Sequence, residues 1–437
     1  MAARRAAALT IGQGFDTQAG RPAAARVSAA PMPSITLLVV AVFVAVYVGM
    51  ALGRWPGLKV DRTGIAILGA IVLYAAGVID GEGIVAAIDW PTLIMLFGLM
   101  ILSAQFAACG FYDACSARIA ASRSGPVAVL ALTVAVAGGL SAVLANDVVV
   151  FAMTPMLIKG LRARGLDPRP YLIALAGAAN AGSAATLIGN PQNILIGQVG
   201  GLDFWAFLAA CGPPAAAALV VVFAVVWLTW RRRLVAAAAA PGGPMPAVDR
   251  FGLGKATLAT AALLGLFALP LAPVTGVLIV AALLLVSRRL ATREILGLVD
   301  WHLLLLFAGL FVVTAALTAT GLPAALLAAA RAAGIDPGGL GVLVPLTLFG
   351  SNAIGNVPTV VLVLSVLPDL PAASLQALAV LSTLAGNLCI VGSLANIIVV
   401  ERAREAGVRL GFAAHARAGV PMTLVSMGLA AAWFAAG

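Results

Sequence analysis

Across 437 residues, 62% are hydrophobic and only 10% are charged, too little charge to cover a soluble globule. A mean hydropathy of +1.10 and recurrent apolar runs of about twenty residues, enough to cross ~30 Å of hydrocarbon, define an all-α polytopic membrane protein. Runs such as VVVFAVVWL and LLLLFAGLFVV lack the period-two alternation of a membrane barrel. The formal net charge of +10 comes from arginines in short loops at span ends, so it points to the bilayer and not to nucleic acid as partner.

Residues 1–33, rich in Ala and Arg without a continuous apolar core, read as a flexible tail and not a secretory signal. Spans follow at about 34–53, 63–79 and 91–110. The stretch 126–158 is too long for one span and carries SAVLAND near its middle, which predicts a re-entrant hairpin whose tip is buried in protein or faces water. The run 171–198 contains GNPQN and reads as a broken helix, and 203–230 as a further span. An Ala/Pro/Gly-rich segment, 235–252, reads as a cytoplasmic linker. Spans at 254–271, 273–288 and 301–320 come next. A second hairpin at 340–366 carries SNAIGNVP, a second broken helix at 374–400 carries GSLAN, and 417–436 is the last span. The total is about ten transmembrane helices plus two hairpins. Asp80, Glu82 and Asp89 place their loop outside, while Lys159, Arg162, Arg164 and Arg169 fall inside, with Arg231, Arg288 and Arg402. The tail, with Arg4, Arg5, Arg21 and Arg26, falls outside against the same rule.

The two halves match in order. IDW at 88–90 recurs as VDW at 299–301, and Asp89/Asp300, Gly98/Gly309 and Gly110/Gly321 share one offset, 211. Ser141 and Asn146 correspond to Ser351 and Asn356; Gly189 and Asn193 correspond to Gly392 and Asn396. The expected organisation is therefore one repeat over 34–234 and a second over 253–437, each of five spans and one hairpin. Five crossings are odd, so the copies are inverted, as in many secondary transporters.

A helix broken at mid-membrane exposes N–H groups at one stub and C=O groups at the other, which receive anions and cations without a full protein charge. Asn193 and Asn396 add amides there, with Ser183, Thr186, Ser351 and Asn387 as further polar candidates. Each also has a packing reading, because small and polar residues in membrane helices often serve helix–helix contact. Asn146 and Asn356 read as hairpin-tip ligands or N-caps of the second hairpin helices. Asp147 is the one acid deep in an apolar segment, a proton carrier or cation ligand, or else an N-cap. Asp89-Trp90 and Asp300-Trp301 read as caps and interfacial anchors, and His302 as interfacial. With two histidines and four scattered cysteines, no metal site is expected.

ANDVVVFAMTPMLI, AGSAATLIGNPQNILIG, SNAIGNVPTVVLV and LAGNLCIVGSLANIIVVERAR resemble motifs of the ion transporter superfamily of ArsB arsenite permeases, NhaD antiporters, and citrate and dicarboxylate permeases. The branch most resembled is the YbiR-type anion permeases, over about residues 34–436. The resemblance implies two sodium sites, one at Asn146, Gly189 and Asn193 and one at Asn356, Gly392 and Asn396. It also implies a homodimer and an elevator-like motion. Ala145-Asn146-Asp147 and Gly355-Asn356-Val357 depart from the Ser-Asn-Thr triplets of the dicarboxylate symporters, and Ser393-Leu394-Ala395 lacks their proline. The combined expectation is a secondary active carrier of a small inorganic or organic anion, multi-pass in a bacterial cytoplasmic membrane. It is not an enzyme, needs no cofactor, and couples to Na+ or H+. Arsenite efflux and Na+/H+ antiport are the alternatives.

Overall fold

A computed structural model describes residues 33–53, 55, 57–121, 124–234, 246–269 and 271–436. The tail at 1–32 and most of the expected linker, 235–245, lie outside the described residues. Among those described there are twenty α-helices and no β-strand. The first ten are α1 (Pro33–Leu52), α2 (Arg62–Ala75), α3 (Gly81–Ala87), α4 (Trp90–Ala108), α5 (Phe111–Ala121), α6 (Pro126–Val143), α7 (Asn146–Ala163), α8 (Pro168–Ser183), α9 (Pro191–Gly200) and α10 (Phe204–Trp230). The second ten are α11 (Arg250–Leu266), α12 (Pro273–Leu285), α13 (Thr292–Leu296), α14 (Trp301–Ala319), α15 (Leu322–Ala332), α16 (Leu340–Ile354), α17 (Asn356–Val366), α18 (Ala372–Ala385), α19 (Leu394–Glu405) and α20 (Phe412–Ala436).

Six of these, α1, α4, α6, α10, α14 and α20, are long and apolar enough to cross a membrane unaided. The expected hairpins are the pairs α6–α7 and α16–α17, and each expected broken helix is two α-helices separated by a stretch that is not α-helical. Four short helices, α3, α5, α13 and α15, occupy stretches read from the sequence as loops. Their polar residues, such as Asp113 and Arg118 in α5, and their lengths of five to eleven residues hide them from a search for spans.

Local chemistry explains the shared order of the halves. Asp89 caps α4 by accepting from Thr92 N at 2.9 Å, and Asp300 caps α14 by accepting from Leu303 N at the same distance. The following tryptophans are half-exposed and donate backwards, Trp90 Nε1 to Val85 O and Trp301 Nε1 to Leu296 O, both at 3.0 Å. The two aspartates are the caps expected there; His302 is exposed. Gly98 of α4 sits against Val277 of α12, and Gly309 of α14 against the backbone of Ala66 in α2. Each half thus lends a small-residue notch to a helix of the other.

The core lies around α8 and α18. Every residue of α8 except Arg169 is buried, and so is α18 from Ala377 to Ala385. Helix α8 packs against α6, α7, α10, α18 and α19. Its approach to α6 is a backbone contact, since a Cβ on Gly182 would fall 2.5 Å from Gly138 Cα and 2.6 Å from Gly138 C. Helix α10 spans 27 residues with Pro213 and Pro214 inside. Proline at 214 has no N–H for the carbonyl of Ala210, and that oxygen instead accepts from Trp433 Nε1 of α20 at 2.9 Å.

Candidate functional site: two interrupted helices joined by amides

The first interruption follows from its sequence. Pro191 cannot donate, and Asn190 caps α9 by accepting from Asn193 N at 2.9 Å. Gly189 fits because a Cβ there would lie 2.7 Å from Ser183 Cα and 2.8 Å from Ser141 O. The carbonyls freed at the end of α8 are taken by one side chain: Asn193 Nδ2 donates to Ser183 O at 3.2 Å and Thr186 O at 2.9 Å. The hairpin tip is fastened to the same turn, with Asn146 N donating to Gly189 O at 3.2 Å and Thr186 Oγ1 to Ala142 O at 2.5 Å.

The second interruption repeats this geometry 203 residues later. Asn396 Nδ2 donates to Gly386 O at 2.8 Å and Cys389 O at 3.0 Å. Asn193/Asn396, Ser183/Gly386 and Thr186/Cys389 share that spacing. Where the first half has Thr186 bonded to Ala142, the second has Cys389 Sγ at 3.0 Å from Asn352 Oδ1. A 3-10 turn, Ile390–Gly392, replaces the proline start, and Gly392 again lies against the backbone of the preceding helix end.

One residue that the sequence reading passed over joins the two. Asn180 of α8 is fully buried; its Nδ2 donates to Asn387 Oδ1 at 2.8 Å and Asn396 Oδ1 at 3.4 Å. Its Oδ1 accepts from Ser393 Oγ at 2.9 Å and Asn146 Nδ2 at 3.5 Å. Asn190 Nδ2 donates to Ser183 Oγ at 3.1 Å and Thr383 Oγ1 at 3.3 Å, and Gln192 Nε2 to Thr383 Oγ1 at 3.0 Å. His415, also buried, places Nε2 3.1 Å from Asn387 O. Four of these residues carried a usable signal: Asn180 and Asn190 interrupt a run of small residues, and each has a hydroxyl partner 203 positions on, Thr383 and Ser393.

Of the expected site residues, Asn146, Ser183, Thr186, Gly189, Asn193, Asn387, Gly392 and Asn396 are thus gathered at the two turns. Ser351 and Asn356 are buried nearby in sequence but not in this network: Ser351 Oγ donates to Ser382 O at 3.2 Å, and Asn356 Oδ1 accepts from Val357 N at 3.0 Å. The N-cap reading of Asn146, Asn356 and Asp147 is corrected. Asn146 and Asn356 open their helices one position inside the caps, Ala145 and Gly355, and neither cap makes a side-chain hydrogen bond. Gly355, at φ 100°, makes the second hairpin turn in a conformation that favours glycine. Asp147 is half-buried in the first turn of α7 and makes no hydrogen bond or ion pair among the described residues.

Among the described residues, four buried oxygens at the first hairpin tip and helix break, Asn146 Oδ1, Asn193 Oδ1, Gln192 Oε1 and Ser141 Oγ, have no hydrogen-bond partner; those of Thr92, Gln105 and Tyr112 elsewhere in the first half also lack one. Neutral oxygens of this kind suit a hard cation and not a soft metal. No cluster of three or more His, Cys, Asp or Glu that could hold a metal ion occurs among the described residues. Beside the first turn lies a cavity of about 270 Å³ lined by Leu187, Ile188, Ile194, Gln198, Phe204 and Phe267. At the start of α8, burial raises the Asp167 carboxyl, but hydrogen bonds and charge from Arg169, with the charge of Arg233, outweigh it and hold it below the usual range.

Interrupted helices fastened to hairpin tips, in a chain of membrane-crossing helices, define a membrane transporter of the ion transporter superfamily. The chain belongs to the citrate transporter family, whose model matches residues 47–385. It is 30% identical over 434 residues to an uncharacterized transporter of Mycobacterium tuberculosis, covering 91% of this chain and 98% of that one. A silicon efflux transporter of Oryza sativa subsp. japonica is 27% identical over 444 residues, covering 85% of this chain and 91% of that one. An arsB transporter of Dictyostelium discoideum is 31% identical over 150 residues, 34% of this chain and 27% of its own. Among solved structures, the YdaH transporter of Alcanivorax borkumensis superposes with a TM-score of 0.56 at 16% identity, covering 92% of this chain and 98% of that one.

Proposed function

We propose that this multi-pass membrane protein is a secondary active transporter that moves a small inorganic or organic anion across a bacterial cytoplasmic membrane, coupled to Na+ or H+. The observation that carries this reading is the pair of matched helix interruptions joined by neutral amides at Asn180. Such a site meets an anion with N–H groups and a co-bound cation with carbonyl oxygens. The orphaned oxygens of Asn146, Asn193, Gln192 and Ser141 support the cation half of this reading. The matched order of α1–α10 and α11–α20 supports an inverted pair of repeats; an elevator-like motion within a homodimer is what the family resemblance implies. Citrate is the first anion to test, because the family carries its name; silicic and arsenous acids, uncharged near neutral pH, test the efflux alternative that two relatives' names suggest.

A second reading, Na+/H+ antiport, rests on Asp147, a carboxylate with no hydrogen bond at the hairpin tip. Flux through wild-type and Asp147→Asn protein in liposomes separates the two. Solute uptake driven by a sodium or proton gradient supports the anion carrier. A sodium-driven pH change that needs no anion and vanishes in D147N refutes it.

A further inference from the structure

Resting on the cation-coupled reading above, we infer that the protein binds one coupling cation per chain, in the first half, because the side-chain amide of Asn180 occupies the acceptors of the second. The argument starts from Asn193 and Asn396. Both direct their Nδ2 groups at two backbone carbonyls of the preceding turn, which fixes each amide and turns each Oδ1 the opposite way. At Asn396 that oxygen accepts from Asn180 Nδ2, which also serves Asn387 Oδ1. At Asn193 it accepts from nothing, although it is fully buried.

The difference traces to one pair of matched positions. Position 180 is asparagine and position 383 is threonine. The threonine hydroxyl has a single proton, donated to Ala379 O at 2.7 Å, and its oxygen accepts from Asn190 and Gln192. Nothing is left at Thr383 to donate to Asn193, whereas Asn180 has an NH2 group for the equivalent acceptor. Among the described residues of the hairpin tips and helix breaks, the buried oxygens without a partner, on Ser141, Asn146, Gln192 and Asn193, all belong to the first half; the second half's one orphaned buried oxygen, Thr423 Oγ1, lies in α20, away from its tip and break in sequence. The counterparts of three of them are satisfied within the protein, Ser351 by donating to Ser382 O, Asn356 by accepting from Val357 N, and Asn396 by Asn180. Buried oxygens without donors are where a cation replaces the missing proton, and an N–H group in the matching place excludes one. The family resemblance implied two sodium sites; this chain supplies oxygens for one and closes the other with its own amide.

The test is equilibrium binding of radioactive sodium to the purified full chain in detergent. Wild type is expected to bind one Na+ per chain with a non-cooperative isotherm. Thr383→Asn, which brings an NH2 group toward Asn193, is expected to weaken binding at least about tenfold, the usual scale for altering the surroundings of an ion ligand. Asn180→Thr frees the oxygens of Asn387 and Asn396 and is expected to add a second ion per chain. Two ions bound by wild type overturn this inference and leave cation coupling intact. Absence of any sodium binding overturns the inference and the sodium-coupled reading together. A T383N protein that elutes as wild type does on size exclusion and binds sodium as tightly also overturns it. Should both variants fail to fold, the wild-type stoichiometry still decides.

Discussion

Three neighbouring glycines offer a quantitative test of how α8 is seated. At Gly182 an added Cβ meets the backbone of Gly138, with Cα at 2.5 Å, C at 2.6 Å and the carbonyl oxygen nearer still. No side chain can swing away, so α6 and α8 must part by about 1 Å to reach an ordinary carbon–carbon separation of about 3.5–4.0 Å. Forced overpacking of this kind costs about 1–3 kcal/mol, and the upper end applies where both partners are main chain. At Gly138 the obstacle is Leu219, whose Cδ2 and Cδ1 lie at 2.5 and 2.9 Å from the new atom, and a leucine can change rotamer. At Gly139 nothing lies within 4 Å, and replacing a mid-helix glycine by alanine gains about 0.5–1 kcal/mol. The expected order of unfolding free energy is therefore G139A above wild type, G138A below it and G182A lowest. Chemical unfolding of the detergent-purified variants, followed by tryptophan fluorescence, measures it. A G182A protein as stable as wild type, or a G139A protein as damaged as G182A, would refute the backbone-on-backbone seating of α8.

Gly189→Ala and Gly392→Ala place a methyl group against the backbone of the helix end before each turn, Ser183 Cα at 2.7 Å and Gly386 O at 2.9 Å. Both are expected to abolish sodium-dependent solute flux in liposomes while the protein still reaches the membrane, measured by uptake alongside a membrane-fraction blot. The Asp167 carboxyl sits below its ordinary value in the folded state, so its ion pairs stabilise the protein above about pH 4. That contribution fades as the pH falls through the lowered folded value. Wild type should consequently lose melting temperature more steeply than D167N below about pH 4 in a thermal scan across acidic buffers.

Much of the fold was legible because membrane helices announce themselves by length and apolarity, and because two copies of one plan check each other. The helix breaks at 184–190 and 386–393 were readable from Gly189-Asn190-Pro191 and from the matched asparagines Asn193 and Asn396. Helices α3, α5, α13 and α15 were not, since their segments look like loops to any search scaled to bilayer thickness. Within the site, spacing along the chain revealed residues that meet across a turn, such as Asn193 and Thr186. It could not reveal Asn180 with Asn387, 207 residues apart, because that contact depends on how α8 lies beside α18. The capping role read for Asn146 and Asn356 failed by one residue, the margin by which helix starts are poorly fixed from sequence.

The doubled proline of α10 has a consequence at the lipid boundary. A helix that surrenders a main-chain hydrogen bond within the bilayer leaves an oxygen that acyl chains cannot solvate. Here the indole of Trp433, itself about half exposed at 47%, closes over the Ala210 carbonyl from the final helix of the chain. Helix α20 thereby acts as a patch on a helix that begins some two hundred residues before it. Helix α10 thus relies on a partner distant in sequence, α20, to supply the donor that its own proline withholds.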